Sequence, residues 1–237
     1  MAIRLLGKNS VSTAAEFERK FHELYILYQN LGALEHVMKY CEANHVPIKI
    51  MKRPEMDAMF GPKHGGVVAL VEEYEYVDLY DILKTSDAPF IVILDGLEDP
   101  HNLGAVLRTA EATGVDCVVI PKHHSVGLND TVAKVAVGAM DVVPVAQVTN
   151  ITKTIQELKK LGLWIVGLDA NAPMQYTDID GKMRIAVVIG NEGKGMSRLV
   201  KEQCDFLASI PMKGTINSLN ASVSAALMMY HVFLQRQ

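Results

Sequence analysis

With 237 residues, 49% of them hydrophobic and 21% charged, the chain has the make-up of a globular protein with a real core, in one large domain or two modest ones. Disordered, collagen-like and coiled-coil classes are excluded. Its 23 basic and 27 acidic residues leave a net charge of −4, so any hold on nucleic acid has to be local rather than a bulk electrostatic attraction.

No apolar run nears the ~18–20 residues that cross a bilayer, and residues 1–12 lack the apolar stretch of a signal peptide, so a cytoplasmic protein is expected. Cys41, Cys117 and Cys204 are widely separated and form no CxxC pair. Reduced structural thiols are expected, with neither a disulfide framework nor a zinc cluster.

Residues 1–74 alternate apolar runs with helical stretches: HELYIL (22–27), a helical 32–44, IKIM (48–51) and VVALVE (67–72). They read as a small α/β module. Residues 75–88 carry Glu75, Asp78, Asp81 and Asp87 against Lys84, the pattern of a solvated linker with one short helix. From 89 to 237 the rhythm is regular, with β-like runs FIVIL (90–94), CVVI (117–120), VVPV (142–145), LWIVGL (163–168), AVVIG (186–190) and LASIP (207–211) and helical segments between them. That rhythm predicts a doubly wound α/β domain on a parallel sheet.

Ligands bind such sheets outside the carboxyl ends of the strands, which directs attention to three loops. DGLEDPHNLGAVLRTAEATG follows the first run; Asp99-Pro100 sets a turn, Asn102 has the chemistry of a cap, and Arg108 lies on the helix beyond. Taken alone, these are a cap and a surface arginine. GNEGKGMSRL (190–199) holds Gly190, Gly193 and Gly195 around Asn191 and Glu192 but matches neither nucleotide-loop pattern; it is a binding loop or a tight strand-to-helix turn. IPMKGTINSLNASVSAAL (210–227) offers Ser218 or Asn217 as a helix cap, followed by small residues that let backbone or ligand come close. His101, His123 and His124 lack a third ligand at useful spacing, so no metal is expected. No Ser/His/Asp pattern points to a hydrolase.

Together and in this order, DPHNLGAVLRTAEATG, VVIGNEGKGMSRL and IPMKGTINSLNASVSAAL resemble the three signature motifs of the SpoU (TrmH-like) branch of the SPOUT RNA 2'-O-ribose methyltransferases, from about Pro89 to the end. GKNSV and HGGVVALVEEYEYVDL resemble the L30e-like RNA-binding domain and linker of the subgroup that modifies a guanosine in 23S rRNA. The resemblance implies a trefoil-knotted SPOUT domain that binds S-adenosylmethionine (AdoMet), and a homodimer whose active sites borrow from the neighbouring subunit.

Carried onto this chain, the resemblance gives Asn102, Arg108, Glu192 and Asn220 as the catalytic set. It gives Gly167, Leu168, Gly190, Asn191, Gly193, Ile210, Ser218 and Leu219 as the cofactor pocket. AdoMet already carries an activated methyl, so placing the 2'-hydroxyl is most of the task. Arg108, always protonated, suits a phosphate clamp better than a base. RNA would be met by Lys49, Lys52, Arg53 and Lys63, with Lys8 near the start and Glu55 and Asp57 as partial offset. The stretches at 12–21 and 28–35 depart from the family pattern of the N-terminal module, which bears on target choice rather than on the reaction. Other readings are the same chemistry on a tRNA ribose and a non-catalytic RNA-binding or ribosome-assembly factor.

Overall fold

The computed structural model describes residues 2–215 and 218–237. They form two compact units, one made by the chain up to residue 75 together with 128–142, the other by 76–127 together with 143–237.

The first unit runs β1 (Ala2–Leu6), α1 (Lys8–Glu16), β2 (Phe21–Leu27), α2 (Glu35–Ala43), β3 (Ile48–Met51), α3 (Arg53–Phe60) and β4 (Val67–Glu72). Its sheet has the order β1-β4-β2-β3, and only β2 and β3 are parallel. Central β4 buries Val67, Val68, Ala69 and Val71, as a mostly β-branched strand between two neighbours should. Sequence patterning identifies β2, α2, β3 and β4 but not β1, α1 or α3. The chain enters β4 through Gly65 and Gly66 at φ 63° and 79°. A Cβ on Gly66 would strike the Asn30 amide, whose Nδ2 donates to the Gly66 carbonyl (3.0 Å). Buried His64 accepts the Gly66 N–H at Nδ1 (2.8 Å) and bonds Asp57 through Nε2 (2.9 Å), so this turn is fixed from both sides.

In the second unit come α4 (Leu79–Ile82), β5 (Phe90–Asp95), α5 (Pro100–Thr113) and β6 (Cys117–Pro121). The chain then passes through α6 (Asp130–Ala136), which lies with the first unit. It returns as β7 (Val145–Val148), α7 (Ile151–Lys160), β8 (Trp164–Leu168), β9 (Met174–Gln175), β10 (Ile185–Gly190), α8 (Arg198–Lys201), β11 (Phe206–Ser209) and α9 (Ala221–Arg236). The strands form one parallel sheet in the order β7-β6-β5-β10-β8-β11-β9. Phe90 to Leu94 and Ile185 to Val188 are fully buried, which accounts for unbroken apolar runs where a half-exposed strand would alternate.

Three sequence expectations change. The run at 142–145 is not the strand: β7 begins at Val145, after Pro144, which has no N–H to give a ladder. The 75–88 stretch is not wholly a solvated linker. Val77 bridges to Ala146, and Leu79 and Leu83 are buried in the second unit's core with Ile91 and Val119; the expected short helix is α4, capped by Asp78. Residues 128–142, which chain order assigned to the second domain, pack in the first unit. There the Arg4 backbone N–H and Nε reach Asp130 (2.9 and 2.8 Å), and Arg19 forms a buried pair with Asp141.

Candidate active site

β5, β10, β8 and β11 are consecutive in the sheet, so the loops after them, far apart in sequence, open side by side at the carboxyl edge. The α5 N-cap is Asp99, which accepts the His101 N–H (2.8 Å), with Pro100 in the first helical position. Asn102, offered as a cap by its sequence, instead lies inside the first turn and is only 6% exposed. The loop after β10 is stitched to the loop after β5. The Asn191 Nδ2 donates to the Gly96 carbonyl (2.7 Å), and the Asp95 carboxylate accepts the Ser197 N–H (2.7 Å). Asn191 and Gly195 exchange both backbone bonds (3.1 and 2.8 Å). Gly190 is required by this turn itself, because a Cβ there would collide with the Gly195 and Met196 backbone.

Three of the four catalytic candidates meet. Asn220 Nδ2 donates to both Asn102 Oδ1 and Glu192 Oε1, each at 3.0 Å, and Asn102 Nδ2 donates to the same Glu192 oxygen. One carboxylate oxygen thus collects two amide donors from two other loops. Asn220 is also the α9 cap: its Oδ1 accepts the N–H of Ser222 (2.9 Å) and Val223 (3.3 Å). Ser218 therefore does not cap α9, and Asn217, the other candidate, lies outside the described residues. Arg108 does not join the cluster. Six residues on from Asn102, it is turned about 120° away and about 9 Å along the helix axis. It is exposed and has no hydrogen-bond or ion-pair partner among the described residues.

Beside the cluster lies a cleft of about 310 Å³ whose lining includes Leu168, Gly190, Asn191, Glu192, Gly193, Ile210, Ser218 and Leu219. Seven of the eight cofactor candidates therefore share one cavity. Gly167 does not: it is buried, and a Cβ there would press on Met196 and Cys204, both at 2.8 Å or closer. Sequence reasoning missed Asp169, Asn171 and Met212, which also line the cleft. Asp169 follows β8 directly, so the strand-end rule could have found it. Its partner could not be found that way: Lys201 Nζ donates to the Asp169 carboxylate (2.6 Å) from α8. That bond, more than the opposing burial, holds the Asp169 carboxyl below the usual carboxylate range. Burial raises the thiols of Cys41, Cys117 and Cys204 to about 11, 12 and 11, so none is a nucleophile near neutral pH. Among the described residues no three His, Cys, Asp or Glu side chains form a metal-binding group, and no helix is long and apolar enough to cross a membrane.

A parallel α/β unit with a cleft at its strand ends and a polar cluster at the cleft rim has the arrangement of an α/β ligand-binding or catalytic unit. Comparison with known proteins gives the family. Residues 89–230 match the SpoU rRNA methylase family, and residues 4–77 match the substrate-binding domain of RNA 2'-O-ribose methyltransferases. A Bacillus subtilis protein named for the TrmH family of tRNA/rRNA methyltransferases is 46% identical over 237 residues, covering 98% of this chain and 95% of that one. One of the same name in Staphylococcus saprophyticus is 47% identical over 241 residues, covering 99% and 96%. Among solved structures, the SpoU methyltransferase AviRb of Streptomyces viridochromogenes, in complex with AdoMet, superposes with a TM-score of 0.83 at 23% identity, over 99% of this chain and 90% of that one. The chain belongs to the SpoU methylase family and is an AdoMet-dependent RNA 2'-O-methyltransferase.

Proposed function

We propose that this enzyme methylates the 2'-hydroxyl of a guanosine in 23S rRNA, with Asn102, Arg108, Glu192 and Asn220 as its catalytic set. The observation that carries the site is the convergence of Asn102, Glu192 and Asn220, from three separate loops, on one hydrogen-bonded cluster at the rim of the cleft.

The cleft fits AdoMet by its chemistry. Leu168, Ile189 and Ile210 give apolar walls for a heterocycle, while Glu192 gives a carboxylate to face a cationic ligand. Gly190, Asn191, Gly193, Ser218 and Leu219 would hold the cofactor largely through backbone groups. Once bound, it supplies a methyl group already activated by the positive sulfur. Asn102 and Asn220 occupy Glu192 Oε1 and so fix the carboxylate plane. Oε2 is left to accept the hydrogen of the ribose 2'-hydroxyl and to draw its proton as the oxygen attacks.

Arg108, unpartnered and exposed, presents a fork of donors to a phosphate next to the target ribose. Its distance from the cluster along α5 supports a homodimer in which it serves the neighbouring subunit's site. The exposed stripe Val223, Leu227, Tyr230 and Leu234 on α9 supplies a self-complementary apolar face for that dimer. A knotted C-terminal passage and action in the cytoplasm belong to the same reading.

The test is transfer of label from methyl-labelled AdoMet to unmodified transcripts of 23S rRNA domains and to bulk tRNA, mapped by resistance of the site to alkaline cleavage. Label at one guanosine of a 23S fragment is expected. Label confined to tRNA would overturn the substrate, and label absent from both, and from partly assembled ribosomal particles, would overturn the activity.

A further inference from the structure

We propose that Lys194 anchors the α-carboxylate of the cofactor, and is the residue by which this cleft tells AdoMet and its demethylated product from adenosine thioethers that lack the amino-acid end. This rests on the reading of the cleft as the AdoMet pocket and adds the charged contact that sets its ligand selectivity.

Lys194 stands in the turn between β10 and α8 and lines the cleft with Gly190, Glu192 and Ser218. The turn fixes its backbone. Asn191 and Gly195 exchange both backbone bonds across it, the Asn191 Oδ1 accepts the Gly193 N–H (2.9 Å), and the Asn191 Nδ2 is tied to the Gly96 carbonyl (2.7 Å). Gly195 completes the reversal at φ 66°. A flexible four-carbon stem on this fixed base lets the ammonium follow an anion within the cleft.

Among the described residues, three charged side chains line the cleft: Asp169, Glu192 and Lys194. Both carboxylates have partners of their own. Asp169 takes Lys201 Nζ on one oxygen (2.6 Å) and the Asn171 N–H on the other (2.9 Å), while Glu192 Oε1 takes the amides of Asn102 and Asn220. The next cations along the chain are paired as well, Arg198 with Glu202 (2.7 Å) and Lys201 with Asp169. Lys194 differs from both: it is exposed, and its side chain forms no ion pair or hydrogen bond among the described residues.

Folding therefore makes no use of this ammonium, and a ligand can. AdoMet carries a single anionic group, the carboxylate of its methionine part, at the opposite end from the adenine. Leu168, Ile189 and Ile210 suit the adenine, and neither Asp169 nor Glu192 can receive an anion. The Lys194 ammonium has the sign, the reach and the vacancy to meet that carboxylate with a charge-assisted hydrogen bond. An RNA phosphate is the other anion it could meet, but its place in the lining of the cleft favours the cofactor.

Calorimetry on the full-length protein compares AdoMet, S-adenosylhomocysteine and 5'-methylthioadenosine, which keeps the adenosine and the sulfur but has no amino acid. Lys194→Met should weaken AdoMet and S-adenosylhomocysteine by the same factor, about five- to tenfold at low salt, and leave methylthioadenosine unchanged. The factor should shrink in about 1 M salt, where screening acts within about 3 Å, and Lys194→Arg should restore most of the lost affinity. Unchanged AdoMet affinity in Lys194→Met overturns the proposal, whether or not RNA binding falls. Equal weakening of all three ligands overturns it in favour of a structural role for the turn. Ile210→Trp, which fills the cleft, should weaken all three. If it weakens none, the cleft is not the cofactor's and the anchor falls with it; if it weakens all while Lys194→Met changes nothing, the cleft stands and the anchor alone fails.

Discussion

Asn220 has two separable duties, and two substitutions divide them. Its Oδ1 caps α9 through the Ser222 and Val223 N–H groups, while its Nδ2 bridges Asn102 and Glu192. Asn220→Ala removes both. Loss of the cap costs about 1 kcal/mol, and leaving the Oδ1 of buried Asn102 without its donor costs about 1 more. For a chain of this length, ~2 kcal/mol lowers the melting temperature by about 4–8 °C.

Asn220→Asp keeps an acceptor at the cap, where the helix dipole favours a negative charge by about 0.3–1 kcal/mol. Its new carboxylate faces Glu192 with a repulsion of about 1 kcal/mol in water-like surroundings. The two nearly cancel, but the carboxylate also leaves the Asn102 Oδ1 without its donor at a cost of about 1 kcal/mol, so the Asp variant should melt about 2–4 °C below wild type. With its Glu192 carboxylate held by Asn102 alone and repelled by the new charge, the variant should transfer methyl groups about a hundredfold more slowly, the scale of a catalytic group misplaced by an ångström. Thermal melts and single-turnover transfer to RNA read the two effects separately. An Asp variant with wild-type turnover would refute the orienting role of the cluster, and an Ala variant with unchanged stability would refute the cap.

Arg108→Lys should cut methyl transfer about a hundredfold or more while leaving AdoMet affinity by calorimetry within about twofold, because a point charge replaces a planar fork; near-normal turnover would remove Arg108 from the site. Gly190→Ala should destabilise the protein by about 1–3 kcal/mol through collision with the Gly195–Met196 backbone and weaken AdoMet binding as a consequence. Gly167→Ala should lower stability alone, and calorimetry beside thermal melts distinguishes the two. Arg19→Met should cost about 3–5 kcal/mol by stranding the buried Asp141 carboxylate, with Asp141→Leu added in the same chain restoring most of it in urea titrations.

The Asp169–Lys201 bond gives a pH signature. A carboxyl whose folded pKa is depressed adds stability above its unfolded value, about 4, and loses it as pH falls through the folded value. The stability gap between wild type and Lys201→Met should be complete at neutral pH and close on acidification below about pH 4. A gap that stays constant through that window would refute the assignment.

Much of the second unit can be read from the sequence because a sheet covered on both faces demands unbroken β-branched runs, and Phe90–Leu94 and Ile185–Gly190 are such runs. The motif loops are legible from the order of three long segments after strand ends, since singly their residues also serve as turns and caps, as Gly190 and Asn220 do. Chain order predicts neither β9, a two-residue strand, nor the passage of 128–142 into the first unit, because nothing local distinguishes α6 from a helix covering the large sheet. The buried contact of Leu79 and Leu83 is hidden in the same way beneath an acidic composition.

The sequence by itself determined the residue types of the site, the strands that carry them and the family resemblance, since these reside in local pattern and order. Only the tertiary structure decided how they are used. It made Asp99 rather than Asn102 the cap of α5, and Asn220 rather than Ser218 the cap of α9. It joined Asn102, Glu192 and Asn220 through one carboxylate oxygen and left Arg108 apart from them. Those outcomes depend on strand order and register. Pairing between segments tens of residues apart fixes both, and a local pattern carries no record of which strand becomes the neighbour of which.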